Sequence, residues 1–320
     1  MNVGSFTAAN GFPWKLIQHP RAIINHTGQR EIVPIHIQLI PTNRCNGNCS
    51  FCSCRNETRS LELGIDELHN IIRYFASLGT EAITITGGGE PTLHPDIDEL
   101  LLTCRDSGMD VGLVTNGKLW GKDNLDLHIP NQTLTWLRVS VTDTIGTYDC
   151  NVIEQLAKNL PDVDVGISFT VCRSVNMATA KRVCEIAEEQ DNITHVRFVS
   201  DITDSIRAGN MLAGVECQCV ECSKAIFQYR DNPVHGVANC LISRLKPVIH
   251  ADGYIYPCCG AQYAINLDDR KMPKSMRMCK WGGFAYAKPF DGSVCNTCFY
   301  RDYQVALEHL TQQFEHRNHV

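Results

Sequence analysis

Cys45, Cys49 and Cys52 stand at spacing C-x3-C-x2-C, directly after the apolar, strand-like run Ile35-His36-Ile37-Gln38-Leu39-Ile40. A loop at the end of a strand can wrap three thiolates around one inorganic centre. Thiolates are soft ligands that suit iron–sulfur clusters and zinc. Three ligands are more informative than four here, because structural zinc is usually closed by four protein ligands whereas a reactive centre keeps a position open. On the triplet alone, a zinc knuckle completed by Cys54 or by a distant residue stands as the alternative.

The rest of the chain has to supply a scaffold for that loop. Residues 1–34 read as an irregular lead-in punctuated by Gly11, Pro13, Pro20 and Gly28. From residue 35, short Val/Ile-rich runs alternate with amphipathic segments. The pattern predicts strands at 35–40, 82–86, 110–115, 136–142, 164–171 and 194–199, and helices at 65–78, 96–107, 150–159 and 175–190. Ile65, Leu68, Ile71, Ile72 and Phe75 make a 3.6-period apolar face, with Asp66 and Glu67 in the first turn where the helix dipole favours them. Six such units predict a parallel sheet built from βαβ crossovers, whose ligands collect at the C-terminal strand ends. The second strand runs into Gly87-Gly88-Gly89-Glu90-Pro91-Thr92, and glycines at a strand end let the backbone approach a ligand closely.

The triplet, with Phe51 before its last cysteine, followed one βα unit later by Gly88-Gly89-Glu90-Pro91, resembles the radical S-adenosylmethionine (radical SAM) family. The resemblance implies a partial (β/α)6 barrel and a [4Fe-4S] cluster held by Cys45, Cys49 and Cys52. It implies SAM chelating the fourth iron, with the SAM amino group held by the Gly88, Gly89 and Glu90 stretch. An electron from the cluster would cleave SAM to a 5′-deoxyadenosyl radical, which takes a hydrogen atom from the substrate. A reductant such as flavodoxin or ferredoxin is implied as partner. Asn116, in Val114-Thr115-Asn116-Gly117, and Ser140, in Arg138-Val139-Ser140-Val141-Thr142-Asp143, resemble family stretches lining SAM. Both also read as turn and packing residues. The family often has an aspartate two residues after the serine, where this chain has Thr142. Arg173 reads either as a carboxylate ligand or as a solvated arginine.

Seventeen cysteines in 320 residues would suggest disulfides in a short secreted protein. This chain instead has an α/β body, no basic n-region before an apolar core at Met1–Asn10, and no run of the ~18 apolar residues that a membrane span needs. The expectation is a cytoplasmic protein with no membrane partner, its cysteines serving metal or redox chemistry. Cys104, Cys150, Cys172 and Cys184 stand singly and read as small hydrophobes. A formal net charge of −6 argues against a strongly basic nucleic-acid binder, though not against a local basic patch.

After about residue 205 the alternation is expected to stop, leaving a small cysteine-rich α+β domain over 206–320 behind a barrel over 35–205. Asp252-Gly253 between two short apolar runs predicts a hairpin. A hairpin returns its ends to one place, so Cys240 and Cys258 can share a site, and Cys295 and Cys298 add two more thiolates. This arrangement resembles the twitch and SPASM extensions of radical SAM enzymes, which implies an auxiliary [4Fe-4S] cluster; zinc fits the same four thiolates. Cys217, Cys219 and Cys222 match no pattern, and a further metal with Cys279 or Cys259 stays open beside plain reduced thiols. Residues 302–316 predict a closing helix.

The function read from the sequence is a radical SAM enzyme modifying a peptide- or amino-acid-derived group. One alternative is an isomerase or modifying enzyme acting on an amino-acid adduct of a nucleobase in DNA, as in phage thymidine hypermodification. It draws on Arg270, Lys271, Lys274, Arg277, Lys280 and Lys288 interleaved with Trp281, Phe284 and Tyr286. A zinc-binding structural module is the alternative outside enzymology.

Overall fold

The β-branched runs form strands and the 3.6-period segments form helices. In the computed structural model, which describes residues 14–19, 33–120, 132–141, 147–230 and 234–311, the first seven strands are β1 (His36–Leu39), β2 (Ala82–Ile85), β3 (Asp110–Thr115), β4 (Trp136–Val141), β5 (Asp164–Val171), β6 (Ile193–Ser200) and β7 (Ala225–Gln228). Three short ones follow, β8 (Val248–Ile249), β9 (Tyr254–Tyr256) and β10 (Cys279–Lys280). The helices are α1 (Trp14–Ile17), α2 (Ile65–Ser77), α3 (Ile97–Asp106), α4 (Asn151–Asn159), α5 (Met177–Glu189), α6 (Ser205–Gln218), α7 (Ile242–Leu245), α8 (Ala261–Ala264) and α9 (Arg301–Thr311).

β1 to β7 pair in sequence order, every pair parallel, with helices in the β1–β2, β2–β3, β4–β5, β5–β6 and β6–β7 connections. The architecture is mixed α/β with a mostly parallel sheet, as the strand and helix pattern predicts. Leu68, Ile71, Ile72 and Phe75 of α2 are buried, as the periodicity predicts. They pack with the outward-facing Leu137, Val139, Ile167 and Phe169 in one continuous core. Each such side chain contributes roughly 1.5–3 kcal/mol on burial. Asn176 starts α5 by accepting the Thr179 N–H at 3.0 Å, a side-chain cap on an otherwise open helix end.

The helix–strand alternation runs one unit past the expected stop near residue 205. α6 packs on β5 and β6, and β7 adds to the sheet beside β6. The helix buries Ala208, Leu212 and Val215 at helical spacing. Its small apolar face and its interior glycines, Gly209 and Gly214, hid it from a periodicity argument.

The predicted hairpin is present as β8 and β9, with Val248 opposite Tyr256 and Ile249 opposite Ile255. Gly253 has φ +74°, which a side chain would strain. The hairpin is not a separate layer: β8 pairs parallel with β1, Gln38 opposite Val248 and Leu39 opposite Ile249. The sheet therefore has ten strands in the order β10-β9-β8-β1-β2-β3-β4-β5-β6-β7. This pairing carries the C-terminal cysteines to the β1 side of the barrel, next to the loop that bears Cys45. Among the described residues no helix is long and apolar enough to cross a membrane. The closing helix is described as far as Thr311, and the rest of its expected span lies outside the described residues.

Candidate active site

The loop after β1 holds Cys45, Cys49 and Cys52 half-buried. It turns tightly, with the Cys52 N–H on the Cys49 carbonyl at 3.2 Å and the Gly47 N–H on Cys45 Sγ at 3.3 Å. A Cβ added at Gly47 would stand 3.5 Å from Cys45 Sγ, 3.7 Å from Cys49 Sγ and 3.7 Å from Lys118 Nζ. The loop is thus gathered around a point without a side chain, with an ammonium group beside two thiols. Burial and then the Cys52 thiol push Cys49 up, Lys118 pulls it down, and Cys45 pushes it up again. Phe51 is half-buried on the same loop.

Backbone carbonyls and arginines tie this loop to the next strand end. Arg59 Nη1 donates to the carbonyls of Asn43 and Gly88, each at 3.1 Å. Arg44 donates to Glu62 Oε2 at 2.8 Å and to the Leu93 carbonyl at 2.6 Å. The Glu90 N–H donates to the Arg44 carbonyl at 2.7 Å. That approach explains the glycines: a Cβ on Gly89 would lie 2.0 Å from the Arg44 carbonyl oxygen, and one on Gly88 2.1 Å from Asn43 Oδ1.

Glu90 is 2% exposed. Its Oε1 accepts from the Thr92 N–H (3.2 Å), Thr92 Oγ1 (2.7 Å) and Thr115 Oγ1 (2.7 Å), and its Oε2 accepts from the Asn116 N–H (2.7 Å). Burial raises its carboxyl, and the hydrogen bonds from Thr115, Asn116 and Thr92 oppose the rise. In this structure the carboxylate is a knot between the ends of β2 and β3. Asn116 continues the knot: its Nδ2 donates to Asn46 Oδ1 in the cysteine loop at 2.8 Å, and its carbonyl accepts from Tyr148 at 3.3 Å. Asn116 therefore sits against the cysteines, while Ser140 lies on β4, half-buried and opposite Ser168 of β5. Thr142 and Asp143 lie outside the described residues. Cys172, at the exit of β5, is buried; burial, then Asp201 and Cys49, press it up to about 12. Arg173 is paired with Asp204 on the surface and is not free for a ligand carboxylate.

Cys240, Cys258, Cys295 and Cys298 line one pocket closed by Phe290, Phe299 and Tyr300. The Cys240 N–H donates to the Phe290 carbonyl at 2.9 Å, and the Cys298 N–H to that of Val234 at 2.7 Å. Cys240 and Cys258 are both pushed up by burial first and by thiol neighbours after. Cys259, beside them, lies 2.9 Å from the Tyr300 hydroxyl. Cys54 turns elsewhere, its thiol donating to Gln262 Oε1 at 3.5 Å. Cys184 does not stand alone: hydrogen bonds link its thiol to Cys219 and Cys222, raising Cys184 and lowering the other two. No local pattern links a mid-helix cysteine to two others more than 30 positions on. Among the described residues no three or more His, Cys, Asp or Glu side chains are grouped as ligands of a single metal ion.

The basic, aromatic stretch is largely spent on packing. Arg277 Nη2 pairs with Asp252 Oδ2 at 2.6 Å and stacks on Tyr254 at 4.1 Å. Trp281 Nε1 donates to Glu67 at 3.0 Å, and Phe284 is fully buried. Arg270 reaches the Ser50 carbonyl in the cysteine loop. Lys271, Lys274, Lys280, Lys288 and Tyr286 are exposed.

Residues 39–144 match the family model described as the Radical SAM superfamily. That match, together with relatives named as enzymes, supports an enzyme. The chain is 29% identical over 144 residues to a GTP 3′,8-cyclase of Stenotrophomonas maltophilia (strain R551-3), covering 42% of this chain and 41% of the relative. It is 30% identical over 162 residues to that of Staphylococcus aureus (strain bovine RF122 / ET3-1), covering 46% of each. The chain thus spans less than half the length of these relatives. Among solved structures it resembles Streptococcus suis SuiB bound to S-adenosylmethionine, with TM-score 0.54 and 17% identity over 85% of this chain and 72% of that one. That likeness is one of fold.

Proposed function

We propose that this chain cleaves SAM reductively at a cluster held by Cys45, Cys49 and Cys52 and uses the product to take a hydrogen atom from a substrate inside the barrel. The observation that carries the reading is the junction of three strand ends. The β1 loop that carries the three thiols, the Gly88-Gly89-Glu90 turn after β2 and Asn116 after β3 are hydrogen-bonded into one unit through Asn46 and Arg59. The donor set suits the group: three half-buried thiols on one loop leave the fourth corner of a [4Fe-4S] cluster for another ligand, and Lys118 opposes the rise that burial gives Cys49. When bound, the cluster supplies the electron that breaks the SAM sulfonium bond.

Around that chemistry the chain's own groups orient and enclose. Glu90, with its carboxylate engaged by Thr92, Thr115 and Asn116, fixes the strand ends, so the backbone of Gly88 and Gly89 is what faces the SAM amino group. Asn116 and Ser140 line the nucleoside side, and Phe51 covers the cysteine loop. Cys240, Cys258, Cys295 and Cys298 hold a second cluster of the twitch type, fitting because all four line a single pocket. A flavodoxin- or ferredoxin-like protein is the electron donor.

SuiB has also been solved with a precursor peptide, SuiA. A fold likeness carries no substrate, so the peptide reading rests on the sequence resemblance alone. The DNA reading loses Arg277, Trp281 and Phe284 to internal packing. The match of residues 39–144 to the Radical SAM superfamily favours an enzyme over a purely structural zinc module. The test is 5′-deoxyadenosine formation by the anaerobically reconstituted chain with SAM and dithionite. The wild type is expected to form it and Cys49→Ala to form none; turnover by that variant would sink the reading.

A further inference from the structure

We propose that the barrel interior binds a phosphate-bearing group of the substrate, and that Arg138, Arg197 and Arg230 are its ligands. This deepens the reading above by naming the substrate class, but the anion site itself does not require the cluster.

The three arginines are far apart in sequence and are brought together by register. Arg138 lies opposite Gly166, and Ser140 opposite Ser168, in the pairing of β4 with β5. Ser168 lies opposite Arg197 in the pairing of β5 with β6. Gly166 and Ser168 are the small residues of β5 between Arg138 and Arg197, and a Cβ on Gly166 would meet the His195 ring at 2.5 Å. Arg197 Nη2 donates to Ser168 Oγ at 2.8 Å. Arg230 follows β7, its backbone N–H held by Ser200 Oγ at 2.9 Å and its guanidinium 5.6 Å from the Phe299 ring centre.

The Nε atoms of Arg138, Arg197 and Arg230 are all buried and have no hydrogen-bond partner. Among the described residues none of the three makes an ion pair, although eight Lys or Arg ion pairs form elsewhere. Burial, then Arg138 and Arg230, press Arg197 down to about 9. Burial also lowers Arg138; Cys259 opposes the fall and Arg230 adds to it. Guanidinium groups keep their protons in proteins, so the strain is met by an anion. Buried charges are paired or they are expensive. Three guanidiniums with unused donors fit the oxygens of a phosphate ester or polyphosphate, which arginine binds bidentately. A single carboxylate would leave most of that charge unmatched.

The experiment is calorimetric titration of pyrophosphate into the full chain at low salt, with glutarate as the dicarboxylate arm. Pyrophosphate is expected to bind and to raise the melting temperature. Arg138→Gln and Arg197→Gln are each expected to weaken it tenfold or more, while their melting temperature without anion is unchanged or higher. Arg197→Lys is expected to recover part of the affinity, and the exposed pair Lys271→Ala/Lys274→Ala to leave it unchanged. The proposal falls if pyrophosphate does not bind, if the arginine variants bind it equally, or if glutarate binds as tightly. It also falls if the variants lose iron at the second cysteine pocket with pyrophosphate affinity intact, because the arginines would then serve that centre. 5′-Deoxyadenosine formation, measured separately, distinguishes failure of the radical chemistry from failure of the anion site.

Discussion

The backbone N–H of Asn116 donates to Glu90 Oε2 at 2.7 Å, and Thr115 Oγ1 donates to Glu90 Oε1 at the same distance. One carboxylate therefore closes two strand ends beside the cysteine loop. Glu90→Ala leaves these donors and those of Thr92 unpaired in a buried place, at a cost of about 2–4 kcal/mol. Urea unfolding should show that loss in the midpoint.

Glu90 also sets a pH dependence. Burial holds its carboxyl above the ordinary value in the fold. A raised carboxyl favours the folded state below the unfolded value, roughly 4.3, and that contribution is lost as pH rises through the folded value. The stability advantage of the wild type over Glu90→Gln is thus expected to be larger at pH 4 than at pH 7. Equal advantage at both, in paired denaturant curves, would show that the hydrogen bonds offset burial at this site, and a larger advantage at pH 7 that they outweigh it.

Gly88 and Gly89 differ in what a methyl group would meet. At Gly89 it meets a backbone carbonyl, that of Arg44, at 2.0 Å; at Gly88 it meets a side-chain oxygen, Asn43 Oδ1, at 2.1 Å. A side chain can shift where a backbone that anchors Glu90 cannot. Gly89→Ala should lower the melting temperature more than Gly88→Ala, and SAM binding should fall in the same order.

What was readable in the sequence was local. The cysteine triplet, the glycine turn and the Asp252-Gly253 hairpin each declare themselves within about a dozen residues, because loop chemistry and turn chemistry are short-range. The pairing of β8 with β1 joins Val248 to Gln38 across the whole barrel, and two-residue strands carry no periodicity. α6 was hidden by its glycines. Cys184 and Arg138 look unremarkable in their own segments; they acquire meaning only when α5 meets the end of α6, and when β4 and β6 pair on either side of β5. The basic stretch was readable as charge but not as Arg277 committed to Asp252.

Asp252 makes the second pH-dependent element. Burial pushes its carboxyl up, but hydrogen bonds from His250, the Tyr254 N–H and Arg277 hold it well below the usual carboxylate range. A depressed carboxyl contributes stability above the unfolded value, roughly 3.9, and that contribution is lost as pH falls through the folded value. Asp252→Asn should cost about 2 kcal/mol at pH 7, the scale of a charge-assisted hydrogen bond. The deficit relative to wild type should shrink as the pH is taken below about 4. A deficit independent of pH in denaturant curves would assign the role of Asp252 to the turn alone.

The two cysteine sites predict a metal count. Each cubane cluster carries four irons, so anaerobic reconstitution should load about eight irons per chain. Replacing Cys45, Cys49 and Cys52 together by Ala should leave about four, and replacing Cys295 and Cys298 should leave the other four. The second variant should keep SAM cleavage, because the β1 loop and the Glu90 knot are built without residues from the C-terminal pocket. Zinc in place of the second four irons would keep the radical chemistry and make that pocket a structural clamp on the hairpin. Iron unchanged in the triple variant would remove the β1 loop from the chemistry altogether.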